Sequence, residues 1–133
     1  MIGYFGKEII FETSEKKTMT FNGLSIDVAS RYAKHDVIMQ KPKTEFLGPD
    51  LDTITFSVKL NGSFGVKPRA EMEKWALLAR NGTAETFVVG GKPLGSDKWI
   101  VKSVSQAWDT IFNGGELYSG NIDVTLEEYS SKI

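Results

Sequence analysis

His35 is the sequence's single histidine, and it stands next to Asp36. A histidine beside a carboxylate can act as a general base, so a hydrolase that uses this pair is one hypothesis. A Ser-His-Asp triad or a multi-histidine metal site would have His35 as its one possible centre. The flanking residues are typical of a β-strand, however, and a surface histidine of a strand explains His35 without any chemistry. The sequence favours that second interpretation.

The other patterns with catalytic or ligand-binding potential are incomplete. Residues 90–95, Gly-Gly-Lys-Pro-Leu-Gly, lack the longer glycine frame and the Ser or Thr after the lysine that a phosphate-binding loop requires, so they predict a turn. Asp50 and Asp52 lack the later ligands of a calcium loop, and Glu127 and Glu128 point to opposite faces of a strand. We therefore predict no catalytic residues, no metal site and no cofactor.

Composition and charge narrow the class of protein. The chain has 133 residues, with 16 Lys and Arg against 17 Asp and Glu. This is the usual length of one domain, residues 1–133, and the balance of charge creates no positive field that would gather nucleic acid. Cysteine is absent, which excludes disulfides and thiolate chemistry. No apolar run reaches the length of about 18 residues that spans a membrane. We expect a soluble, unsecreted protein that binds neither a membrane nor a specific nucleic acid sequence.

The elements that must position these residues are mostly strands. Residues 51–60 alternate apolar and polar side chains, which is typical of a strand with one buried face. Residues 98–112 predict a long strand or a bent pair of strands, and a turn at residues 113–115 joins them to a further strand at residues 117–129. Because turns of this kind join antiparallel neighbours, we predict an α+β fold, a mostly antiparallel β sandwich or barrel with one packed α-helix.

The helix is predicted after Pro68, a residue that suits a first helical turn. Asn81 and Gly82 mark its end, because glycine readily adopts the left-handed conformation that stops a helix. The apolar stripe recurs at the three-and-four spacing of a helix and consists of Met72, Trp75, Ala76 and Ala79.

Two further predictions concern the first half of the chain. Asn22-Gly23 favours the positive φ angles of a tight hairpin turn, so a strand should return from Leu24. Within residues 24–39 the apolar positions change parity, which predicts one long strand with a bulge near Ser30.

Residues 41–50 are predicted to form a ten-residue loop, because two prolines interrupt any ladder of hydrogen bonds. Phe46 and Leu47 lie between Pro42 and Pro49 as an isolated apolar pair. One interpretation is a loop that docks onto another subunit. A loop that folds back over its own core explains the pattern equally well.

Six blocks of sequence, taken together, point to a known family. They are FGKEIIFET at 5–13, HDVIMQKPKTEFLGP at 35–49, GVKPR at 65–69, VGGKPLGSDKW at 89–99, AWDTI at 107–111 and DVTLEEY at 123–129. Over nearly its whole length the chain resembles the phage tail protein U family, GpU, of contractile-tailed temperate phages.

The resemblance implies a structural virion protein that is related in fold to tail-tube subunits and forms a homo-oligomeric ring, a hexamer, on the tail axis. In related particles such a ring resembles a tube initiator between the baseplate hub and the first tube ring, which implies tube and hub proteins as partners. A tail terminator at the head-proximal end is the alternative placement. The family has no catalytic motif to transfer. The implied location is the virion tail, assembled in the cytoplasm of the bacterial host.

Site residues follow from the resemblance as hypotheses. A ring needs contacts between identical subunits, and the residues expected to cross to a neighbour are Pro42, Phe46, Leu47 and Pro49. A wet channel tolerates polar strand faces, and the residues expected to line it are Thr53, Thr55 and Ser57, or Asp123 and Glu127. A monomeric β-rich module that binds a carbohydrate or a peptide is the alternative from another class of function.

Overall fold

The computed structural model describes residues 3–6, 9–13, 18–19, 21–62, 67–95, 98–111 and 117–129. Their elements, in chain order, are β1 (Gly3–Phe5), β2 (Ile9–Thr13), β3 (Thr18–Met19), β4 (Phe21–Asp27), β5 (Ser30–His35), β6 (Lys43–Pro49), β7 (Thr53–Asn61), α1 (Pro68–Asn81), β8 (Phe87–Val89), β9 (Lys92–Pro93), β10 (Lys98–Ile111) and β11 (Leu117–Tyr129).

The strands form three antiparallel sheets. A four-stranded sheet has the order β10-β11-β7-β4 and a five-stranded sheet has the order β3-β2-β1-β8-β9, while among the described strands β5 pairs with β6 alone. Over the parts of the chain that the structure describes, the arrangement is sandwich-like and the sheets do not close into a barrel. The predicted α+β class, mostly antiparallel β with one packed helix, is confirmed.

The core lies between the two larger sheets and the helix. Trp75 of α1 stacks on Phe5 with ring centroids 5.4 Å apart and meets Phe56 edge-on at 5.7 Å. Every second side chain of β7 and β11 points to the same side of the four-stranded sheet, so each strand contributes alternate residues to the core. The buried residues that these strands supply are Ile54, Phe56, Val58, Leu60, Ile122, Val124 and Leu126.

The helix follows the sequence prediction. Pro68 occupies its first turn, and Met72 and Trp75 are buried. Gly82 ends the helix in the left-handed conformation, with a φ of 62°, and its N–H donates to the carbonyl oxygen of Leu78. Within the described parts of the chain, no helix combines the length and the apolar character needed to cross a membrane.

The strands predicted in the second half of the chain are confirmed. Residues 51–60 correspond to β7, which runs from Thr53 to Asn61. Residues 98–112 correspond to β10, as far as Ile111, and residues 117–129 coincide with β11. The turn predicted at residues 113–115 lies outside the described residues.

The hairpin turn predicted at Asn22-Gly23 is wrong. Both residues lie inside β4, which pairs with β7, while β3 pairs with β2 in the other sheet. Gly23 has a positive φ of 64° and lies where the register of β4 with β7 shifts, between Asn22 and Ser25. Its conformation therefore belongs to an irregularity within the strand. Glycine permits a bulge for the same conformational reason that it permits a turn.

The single long strand predicted over residues 24–39 is also wrong. β4 ends at Asp27, and β5 begins at Ser30 and pairs with β6 in a separate two-stranded sheet. The change of apolar parity therefore marks the passage of the chain from one sheet to another. A bulge and a change of sheet displace the pattern in the same way, so the parity alone does not separate them.

The loop predicted over residues 41–50 is a strand for most of its length. β6 pairs with β5 in an antiparallel ladder in which Tyr32 faces Phe46 and Lys34 faces Thr44. Pro42 precedes the strand and Pro49 is its last residue, so neither missing N–H interrupts the ladder. We refer to β5, β6 and the residues that join them as the hairpin.

Candidate assembly surfaces

The polar residues predicted on β7 and β11 come together on one side of the four-stranded sheet, which we call the outer face because it points away from the core. The register places Ser57 opposite Asp123 and Thr53 opposite Glu127. Side chains directly opposite each other share a face. Thr55 lies between Thr53 and Ser57 on the same side. The structure thus unites on one face two groups of residues that the sequence offered as alternatives.

Hydrogen bonds organise the polar side chains of the outer face. The Ser57 hydroxyl donates to a carboxylate oxygen of Asp123, with 2.5 Å between Oγ and Oδ1. Lys102 of β10 reaches Glu127, with 3.3 Å between Nζ and Oε2. Asp27 of β4 belongs to the same face, because its register partner is Thr53. The face therefore combines short hydroxyl side chains with carboxylates and a few lysines.

The two edge strands of this sheet, β4 and β10, run in opposite directions. Each of the three neighbouring pairs in the order β10-β11-β7-β4 is antiparallel. β11 pairs with one edge of β10. Among the described residues, the only pairing at the other, free edge is the isolated bridge between Glu85 and Trp99. The rest of that edge presents backbone N–H and C=O groups that another strand can pair with.

The hairpin is the second exposed surface. Its strands pair with each other, and neither packs extensively against any other described element. Tyr32 and Phe46 form an edge-to-face pair with ring centroids 5.5 Å apart. Phe46 is 54% exposed and Leu47 is 51% exposed. These side chains do not cover the core, so the back-folded loop that the sequence left open is not what the chain forms.

The hairpin ends in an apolar and conformationally unusual turn. The N–H of Gln40 donates to the carbonyl oxygen of Val37 at 3.2 Å. Met39 has a φ of 59°, which is uncommon for a residue with a bulky side chain. Ile38 is 90% exposed and Met39 is fully exposed. The sequence did not predict this tip, because the apolar pattern of residues 24–39 indicated a single strand.

His35 lies on the hairpin, but its partner is not the residue that the sequence suggested. Its Nε2 atom is 2.7 Å from the Oε2 atom of Glu45 on the adjacent strand, and both side chains are more than half exposed. The pair of His35 with Asp36 that the hydrolase hypothesis requires is not formed. Within the described ranges, no group of three or more histidine or carboxylate side chains is placed to hold a metal ion.

Comparison with known proteins adds the family. No curated protein matches the chain. The family model described as Phage P2 GpU matches residues 8–131, which is nearly the whole chain. This is a family of phage tail structural proteins, generally without enzymatic activity, that interact with other tail proteins in the virion. The chain therefore belongs to the Phage P2 GpU family and is a structural protein related to the phage tail.

Proposed function

We propose that the protein forms a hexameric ring on the axis of a contractile tail and initiates the tail tube above the baseplate hub. The observation that carries this proposal is the four-stranded sheet, which combines a polar outer face with two edges that are open along most of their length. Membership of the family indicates a role in a phage tail, and the edges of the sheet offer identical subunits a way to pair into a closed ring.

The direction of the edge strands favours closure by rotation. Because the sheet has an even number of antiparallel strands, β4 of one copy and β10 of the next copy run antiparallel when the copies are related by rotation about the ring axis. Such a contact is heterologous, joining two different surfaces, and it closes when the rotation returns to the start. The edges that are open in the single chain are then paired.

The outer face fits the wall of a water-filled channel. Thr53, Thr55 and Ser57 present hydroxyl groups, Asp123 adds negative charge, and Glu127 is paired with Lys102. Carboxylates in a channel do not hold the phosphates of passing DNA, so transit is not retarded by tight binding.

The hairpin supplies the second contact in this proposal. An apolar pair that is half exposed in the single chain loses contact with water when it packs against another subunit. The residues assigned to this contact are Pro42, Phe46, Leu47 and Pro49. Their exposure on a hairpin that leaves the body of the protein supports a contact with a neighbour rather than a role in the subunit's own core.

The test is the mass of the purified chain by light scattering after size exclusion, over a wide range of concentrations and with electron microscopy of each peak. The runs are repeated with the tube and hub proteins. We expect six-subunit rings that bind hub and tube proteins on opposite sides. A ring at the head-proximal end would support the terminator instead, and a monomer in every mixture would contradict the ring.

A double variant separates assembly from folding. Phe46→Ser with Leu47→Ser should abolish the ring, because the apolar contact is lost, and should leave the thermal unfolding of the monomer nearly unchanged. The matched control is Ile10→Ser, which removes a 40% exposed apolar side chain from the five-stranded sheet and should leave the ring intact. Assembly of the double variant at wild-type concentrations would contradict the role of the hairpin.

A further inference from the structure

An exposed apolar patch lies where the hairpin leaves the four-stranded sheet. It consists of Ile26, Val28 and Leu51, which are 46%, 74% and 41% exposed. The N–H of Asp50 donates to the carbonyl oxygen of Ala29 at 3.0 Å, so Val28 and Leu51 lie beside the same bond. Among the described elements, none extends beyond the edge strand β4, which leaves Ile26 without cover. We call these three residues the neck patch.

Carboxylates adjoin the neck patch on three segments of the chain. They belong to Asp27 of β4, to Asp50 and Asp52 on either side of Leu51, and to Glu128 near the end of β11. The N–H of Glu128 donates to the carbonyl oxygen of Asp52 at 2.9 Å, which holds these segments together. Among the described residues, no salt bridge joins any of the four to a cation. Lys98 and Lys102 lie at the same end of the sheet, and Lys102 pairs with Glu127. The neck patch therefore has a mainly acidic rim.

The hairpin has the opposite charge. Within residues 30–49 the cationic side chains are those of Arg31, Lys34, Lys41 and Lys43, and the anionic ones are those of Asp36 and Glu45. Glu45 is already in contact with His35. With His35 neutral, the hairpin has a formal net charge of +2 in a chain whose total is −1, so the rest of the chain carries −3. Its exposed aromatic pair, Tyr32 and Phe46, thus lies among cations, as the neck patch lies among carboxylates.

We propose that the hairpin of one copy lies across the neck patch of the next copy in the ring. This inference rests on the ring of the proposed function and names the surface that receives the hairpin. The aromatic pair then covers apolar side chains that the single chain leaves in water, and the lysines of the hairpin approach the acidic rim. Opposite charges favour this contact over one between two hairpins or between two neck patches.

The position and the length of the hairpin allow the contact. The bond between Asp50 and Ala29 links the β4–β7 pair to the β5–β6 pair, so the hairpin begins at the neck patch. A register shift between Arg31 and Tyr32 interrupts the ladder near its base, and shifts of this kind bend a pair of strands. β6 has seven residues, so the hairpin is about 23 Å long. In the ring, β4 of one copy lies three strand spacings, about 14 Å, from β7 of its neighbour. The hairpin therefore reaches the neighbour's neck patch.

Cross-linking of the unaltered chain tests the contact. Chains labelled with heavy nitrogen are mixed with unlabelled chains, assembled alone and with hub and tube proteins, and treated with a carbodiimide, which joins lysine amines to carboxylates in direct contact. We expect mass spectrometry to find amides between Lys34 or Lys41 of a labelled chain and Asp52 or Glu128 of an unlabelled one. Lys92, exposed on the edge strand of the five-stranded sheet, should form no amide with these carboxylates.

Charge reversal tests the same contact without a reagent. Lys34→Glu with Lys41→Glu brings carboxylates to the acidic rim, so we expect the concentration for half-maximal ring formation to rise at least about tenfold. Both lysines are exposed, so the thermal unfolding temperature of the monomer should change little. Adding Asp52→Lys and Glu128→Lys to the same chain should restore ring formation.

The matched control is Lys67→Glu with Lys92→Glu, which changes the net charge equally at exposed residues outside the hairpin. It should assemble at the wild-type concentration. Rings that form without an amide between two copies and without a response to charge reversal would overturn the hairpin contact and leave the ring standing. Amides that join the hairpin to a hub or tube protein instead of a second copy would also overturn it. The absence of rings in every mixture would overturn both proposals.

Discussion

The core around Trp75 and the hairpin each contain an aromatic pair, but the two pairs differ in their exposure to solvent. Phe5 and Trp75 stack at 5.4 Å and are almost fully buried. Tyr32 and Phe46 are at nearly the same distance, 5.5 Å, and are more than half exposed. The distance between ring centroids is similar, although the core pair is stacked and the hairpin pair meets edge-to-face, and only the core pair is removed from water. Because burial supplies most of the stabilising free energy, the two pairs should serve different purposes.

This difference teaches that the stability of the subunit and its assembly reside in separate regions. The core holds the single chain together. The hairpin and the edges of the four-stranded sheet carry apolar side chains and backbone groups that the single chain leaves exposed. Substitutions in the first region should therefore change the free energy of unfolding, and substitutions in the second should mainly change association.

Trp75→Ala should have the largest effect on stability. Trp75 is fully buried and contacts Phe5, Phe11 and Phe56, so its removal leaves a cavity that the surrounding rings cannot fill. We expect the free energy of unfolding to fall by about 3–5 kcal/mol. Chemical denaturation followed by circular dichroism measures it. A loss below about 1 kcal/mol would mean that Trp75 is not the centre of the core.

The sequence predicted the core because burial imposes a period on it. Alternation along residues 51–60 and 117–129 arises because each of these strands has one side against the core, and both strands are confirmed. The helix was predicted from the spacing of Met72 and Trp75 together with the stop at Gly82. In each case the signal is local, so a single stretch of sequence contains it.

The hairpin was mispredicted because its strands bury little and therefore carry no such period. Residues 43–49 pair with β5 through backbone hydrogen bonds. Such bonds do not require particular side chains, so they produce no pattern in the sequence. The two prolines suggested a loop, although they lie at positions where a strand tolerates them. Sequence patterning detects sheets that pack, and it misses a pair of strands that stands in solvent.

The sequence predicted the candidate surfaces only in part, because its patterns report burial within one strand and not the contacts between strands. The polar residues of β7 and β11 were recognisable from alternation, but only the register shows that Ser57 faces Asp123. Ile26 and Val28 read as ordinary strand residues in the sequence. Their exposure depends on the absence of cover beyond β4 in the described structure, which is a property of the tertiary fold.

Tyr32→Ala should have a smaller and local effect. A cross-strand aromatic pair contributes about 0.2–1 kcal/mol to stability. Tyr32 forms such a pair with Phe46, and most of its side chain is exposed to solvent. We expect the amides of β5 and β6 to exchange with solvent up to about fivefold faster, while the free energy of global unfolding changes by less than about 0.5 kcal/mol. Hydrogen exchange measured by residue, beside denaturation, separates the two effects. A global loss comparable to that of Trp75→Ala would contradict the separation of the two regions.

Met39→Gly should have the smallest effect, and its sign is informative. The φ of 59° costs a residue with a side chain about 1–2 kcal/mol, and glycine removes that cost at the expense of about 0.4–1 kcal/mol of unfolded-chain entropy. These ranges leave a net gain between about 0 and 1.6 kcal/mol, which is confined to the turn and adds little to the free energy of global unfolding, so exchange of the Gln40 amide should slow.

Met39→Ala is the control for the turn, because alanine keeps the steric cost and removes the thioether. It should not slow exchange at Gln40. Faster exchange in Met39→Gly than in the wild type would contradict the argument from φ. A glycine variant with a tighter turn that nevertheless assembles poorly would show that the exposed Met39 side chain, rather than the shape of the turn, makes the contact with a partner.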